Sequence, residues 1–65
     1  MQLLSKEKQG FTLKVSRTEL LILHQALNEV VNGIELPEFS TRMGAEVSEV
    51  ESLMEQTHNF LKGKD

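Results

Sequence analysis

The sequence predicts a small α+β domain dominated by helix: an N-terminal β-hairpin, a long central helix, a short helical turn and a C-terminal helix. Three observations carry that reading. Apolar residues recur at helical spacing from Leu20 to Ile34 and again from Val47 to Leu61. Over Phe11–Val15 they alternate instead with polar residues, the period of a half-buried strand. By residue number, 1–15 reads as the hairpin, 16–34 as the central helix, 35–44 as a connection with a short helix and 45–62 as the C-terminal helix, all in one domain.

The hairpin comes first. Gln2–Ser5 is partly apolar through Leu3 and Leu4, and Lys6-Glu7-Lys8-Gln9-Gly10 reads as a charged loop. Phe11, Leu13 and Val15 then form the apolar side of the second strand. Two strands alone are marginal in water. The hairpin is therefore expected to lie on the central helix, its free edge open to a second molecule.

The central helix opens with Ser16 and Glu19, the spacing of a capping box. There the serine oxygen accepts a first-turn amide while the glutamate reaches back to the serine N–H. Glu19 also sets negative charge at the positive end of the helix dipole. Leu20, Leu23, Leu27, Val30 and Ile34 form one apolar stripe, and Asn32-Gly33 reads as its stop, with glycine in the left-handed conformation. That stripe leaves Leu21, Ile22, Ala26 and Val31 on flanking or opposite faces. A helix apolar nearly all round is buried on more than one side. In so short a chain a second copy is expected to supply the other cover, with Leu20, Leu21, Ile22 and Val31 as candidate interface residues.

Beyond it, Glu35-Leu36-Pro37-Glu38 is a connection, and Pro37 suits the first turn of a helix, where its missing N–H costs nothing. Phe39–Met43 reads as a short helix stopped by Gly44. A last helix from about Ala45 to Leu61 carries Val47, Val50, Leu53, Met54, Thr57, Phe60 and Leu61 at helical spacing. Lys62 and Lys64 suit its negative end, and the tail 63–65 is expected to fray.

A chain of 65 residues is near the lower limit for folding without a staple or a partner. With no cysteine, neither a disulfide nor a thiolate metal site can help, and self-association is the common remedy left. The formal net charge of −3 argues against a general nucleic-acid binder, which needs clustered Lys and Arg. No apolar run approaches a membrane span, and no secretory apolar block follows Met1, which reads as a native start. These features fit a cytoplasmic protein.

Two local patterns resemble known ones. Residues 39–53 resemble a helix-turn-helix, with Ser40 four residues before Gly44 and apolar residues at Phe39, Met43, Ala45, Val50 and Leu53 where its helices would pack. The second helix would nevertheless offer Glu46, Glu49, Glu51 and Glu55 to phosphates. It lacks the arginine and lysine that read guanine, and Arg42 alone could touch a backbone. The combination Asn28-Glu-Val-Val-Asn-Gly33, Phe39-x-Thr-Arg-x-Gly44 and Glu49-Val-Glu-x-Leu53 resembles a group of small uncharacterised bacterial proteins. The likeness spans the last two thirds of the chain. It implies a bacterial, non-secreted origin and no particular chemistry.

Catalytic signatures are missing from the sequence. His24 has Asn28 at the i+4 position where a zinc site needs a histidine or carboxylate, so a buried or boundary histidine bonded to a neighbour is the expectation. His58, with Glu55 one turn before it, reads as part of a solvated face. The carboxylates at Glu35, Glu38, Glu46, Glu49 and Glu51 read likewise, because acid–base work needs a cleft that shifts a pKa. No phosphate loop and no nucleophile–base pairing is found. One polar set stands out: Asn28, Glu29 and Asn32 near the end of the central helix, with Arg42 after the connection. An Arg–Glu pair pinning the connection is one reading of that corner, and a small-molecule or partner-binding site the other. The sequence thus predicts a non-enzymatic homodimeric protein–protein interaction module without cofactor or metal, its partner a second copy or another protein. A nucleic-acid-binding regulator is the alternative, and a small enzyme or ligand-binding subunit ranks third.

Overall fold

The computed structural model describes residues 1–63; the expectations attached to Lys64 and Asp65 lie outside the described residues. Strand β1 (Gln2–Glu7) pairs antiparallel with β2 (Gly10–Lys14). Lys6 and Glu7, expected in the loop, belong to the strand because they pair with Phe11 and Gly10. Between Leu3 and Ser5 the register shifts by one residue, a β-bulge at Leu4. The extra residue sets Leu3 opposite Leu13 and Lys6 opposite Phe11, so Leu3, Phe11 and Leu13 share one face. Gln2, Ser5, Thr12 and Lys14 share the other.

Helix α1 (Arg17–Asn28) begins as its capping box requires. The Ser16 amide donates to Glu19 Oε1 at 2.9 Å, and the Glu19 amide donates to Ser16 Oγ at 3.1 Å. Its far end departs from expectation. Glu29–Gly33 forms a π turn, closed by the Ile34 amide donating to the Glu29 carbonyl at 2.9 Å. Gly33 is therefore not a left-handed cap; it stays within the wound segment, and the chain leaves through Ile34 in an extended conformation.

Pro37 does not start the next helix either. Helix α2 (Phe39–Met43) opens two residues later, after Glu38 turns the chain in the left-handed conformation at φ 53°. Gly44, at φ 72°, ends α2 as its lack of a Cβ allows, its amide donating to the Ser40 carbonyl. Helix α3 (Val47–Lys62) starts two residues later than expected. Glu46 precedes it and donates its amide to Glu49 Oε1 at 2.8 Å, a second i, i+3 cap.

The helices α1 and α3 run antiparallel. Arg17 donates to the Leu61 carbonyl at one end, His24 meets Thr57 in the middle, and Asn32 reaches Met54 at the other. Half-buried Leu20, His24 and Leu27 of α1 and Val31 of the π turn mark one side of the seam, and Val50, Met54, Thr57 and Leu61 of α3 the other. Val50, at 2% exposure, is the one described residue that is fully buried. The hairpin does not lie on this seam as expected. Leu3, Phe11 and Leu13 are exposed, with Phe11 at 66%, and only the hairpin's base touches α1, where the Met1 ammonium pairs with Glu19.

Candidate interaction surface

In an antiparallel pair, residues displaced to the same hand of the seam fall on the same side of both helices. On one side His24 and His58 bring their rings to 5.8 Å between centroids. The other side takes Leu23 from α1, Val30 from the π turn and Leu53 and Phe60 from α3, each three residues along from a seam residue. Leu23, Leu53 and Phe60 are exposed there and Val30 is half-buried. The helical layer thus has an apolar side and a histidine side, the latter also carrying exposed Leu21 and Val47. Glu19, one turn before Leu23, belongs to the apolar side, so the hairpin is anchored there.

The histidine side is tied to the seam by a short hydrogen-bond chain. Thr57 Oγ1 donates its single proton to the Met54 carbonyl at 2.8 Å, so toward His24 Nδ1, also at 2.8 Å, it must accept. His24 therefore carries its proton on Nδ1, and it is the bonded boundary histidine expected. The two histidines have no third ligand: among the described residues no group of three or more His, Cys, Asp or Glu could hold a metal ion.

The corner at the end of the central helix is only partly assembled. Asn32 Nδ2 donates to Asn28 Oδ1 at 3.0 Å, and the Glu29 carboxylate lies over Gly33, where a Cβ would come within 2.5 Å of it. Among the described residues Arg42 makes no ion pair and no side-chain hydrogen bond, so the proposed Arg42–Glu29 pin is not formed. Its neighbourhood is exposed.

Of the candidate interface residues, Leu20 and Val31 are half-buried on the seam with α3. Leu21 and Ile22 stay open at 47% and 62% exposure. Leu53 and Phe60 fit the helical period and so read as core, while Phe11 and Leu13 read as the underside of a packed hairpin. Their exposure followed from which elements meet, which periodicity does not report.

The Glu19 carboxylate is driven far from its ordinary range. The Met1 ammonium, and next the Ser16 amide, lower its pKa to about 2. A carboxylate so held is a poor proton acceptor at neutral pH, and it lines an open hollow with Met1, Gln2, Lys14 and Ser16. A second hollow on the outer face of α3, lined by Ser48, Glu49, Ser52 and Leu53 among others, is equally shallow. No described helix is long and apolar enough to cross a membrane. Comparisons with protein-family models, curated proteins and solved structures found nothing that matches the chain.

Proposed function

We propose that this chain is a non-catalytic interaction module that works as a homodimer. The observation that carries the reading is its surface. A compact monomer of 7.4 kDa is expected to expose about 4,200 Å², whereas this chain exposes 5436 Å². The excess of roughly 1,200 Å² exceeds the ~800 Å² that each partner contributes to a protein–protein interface of ordinary size. Leu21, Ile22, Leu23, Leu53, Phe60, Phe11 and Leu13 are all exposed. A fold with one fully buried side chain among the described residues has further apolar surface to bury by association.

Light scattering and equilibrium sedimentation over a range of concentrations test the proposal. The expected mass is twice 7.4 kDa, falling toward the single-chain value only on dilution. A chain that remains monomeric at high micromolar concentration overturns it.

The second reading, a nucleic-acid-binding regulator, has one observation in its favour: α2, the Gly44 turn and α3 make a helical corner over 39–53. Against it, Glu46, Glu49, Glu51 and Glu55 are all exposed along the helix that would face the phosphates. Retention on heparin or duplex DNA that is strong at low salt and falls steeply as salt is added would favour the regulator. The charge distribution leads us to expect none.

A further inference from the structure

We propose that the dimer forms by reciprocal seating: the hairpin of each copy lies with its apolar face on the apolar side of the other copy's α1–α3 pair. This rests on the homodimer reading above and names the surfaces that meet. Two faces of one chain are left open together. The Leu4 bulge gathers Leu3, Phe11 and Leu13 on one face of the hairpin, and the seam geometry gathers Leu23, Leu53 and Phe60 on one side of the helices. The two do not meet within one molecule, since both sets are exposed.

Charge decides between reciprocal seating and the pairing of like with like. Residues 1–15 carry Lys6, Lys8 and Lys14 against Glu7, a formal +2. Residues 16–65 carry two arginines and two lysines against eight glutamates and one aspartate, a formal −5, which together recover the net −3. Pairing hairpin with hairpin would bring Lys6 of each copy, on the same face as Phe11, toward its twin, and pairing helix with helix would bring the acidic halves together. Seating the hairpin on the partner's helices sets basic against acidic, with Glu49 bordering the apolar side that receives Lys6. A twofold axis uses each face once on each copy and closes the assembly.

The chain has no cysteine, so single cysteines report directly on who meets whom. Lys6→Cys marks the hairpin face and Gln56→Cys the rim of the helical side between Leu53 and Phe60. Under mild oxidation the mixture of the two variants is expected to give a disulfide-linked dimer that neither gives alone. Dimers linked only within the separate Lys6→Cys or Gln56→Cys samples overturn the seating and leave the homodimer standing. A chain that sediments as a monomer throughout overturns both. Phe11→Ser is expected to move the wild-type dimer to monomer while keeping its helical circular dichroism. A Phe11→Ser chain that stays dimeric contradicts the seating. Added salt is expected to weaken association between the oppositely charged halves; an association constant that is unchanged or rises with salt removes the electrostatic basis for this choice.

Discussion

Val50→Ala removes two methyl groups from the one described position that is fully buried. At ~0.8 kcal/mol per methyl-sized group the lost transfer energy is about 1.6 kcal/mol. The space left behind adds up to about 1 kcal/mol where neighbours cannot close in. Alanine returns roughly 0.5 kcal/mol as the better helix former. The net loss is therefore about 1–2 kcal/mol, against a total of only about 3–10 kcal/mol expected of a chain this size. Val47→Ala is the matched control. It makes the same chemical change three residues earlier on the same helix, at a position 42% exposed, and is expected within about 0.5 kcal/mol of wild type. With no Trp or Tyr, urea unfolding is best followed by far-ultraviolet circular dichroism. All variants are compared at one protein concentration, because association adds to apparent stability. With a slope near 1 kcal/mol per molar urea for so small a fold, the Val50→Ala midpoint is expected about 1–2 M lower. Equal midpoints for the two variants would refute the assignment of the core to the α1–α3 seam.

Four further predictions concern the ends of the elements. Ser16→Ala removes the acceptor for the Glu19 amide and is expected to cost about 1 kcal/mol in the same urea assay. Glu19 is depressed to about 2 by the Met1 ammonium and the Ser16 amide. Its contribution is thus fully present above its ordinary value of 4.5 and fades as pH falls from there toward about 2. Acid titration of Glu19→Gln should lack that part of the stability loss. Gly44 sits at φ 72° with open space around the missing Cβ, so Gly44→Ala is expected to cost about 1–2 kcal/mol from backbone conformation alone. Glu38, at φ 53°, is its mirror. Glu38→Gly is expected to leave stability unchanged or raise it by up to about 1 kcal/mol, because relief of the left-handed conformation opposes the entropy glycine adds to the unfolded chain.

What was legible in the chain was what depends on neighbours in sequence. Ser16 and Glu19 are three residues apart and cap α1 whatever else is present. Phe39–Met43 and its Gly44 stop are equally local, and both were read correctly. Leu20, Leu27, Val50 and Leu61 were legible as inward-facing because their spacing follows the helix. The misreadings came where a distant strand or helix decides. The bulge at Leu4 exists only through its pairing with the second strand. Gly33 and Pro37 carry preferences that the π turn and the left-handed Glu38 overrode.

The sequence by itself determined the order of hairpin and helices, the cap of α1 and part of each helix's inward face, because capping, turn chemistry and side-chain period act within a few residues. Only the tertiary structure decided that α1 and α3 face each other antiparallel, that Thr57 fixes the proton of His24 and that Phe11, Leu53 and Phe60 remain in water. Each depends on which surfaces meet across the chain. An apolar residue at the correct spacing is drawn to any apolar partner, and its spacing does not say which.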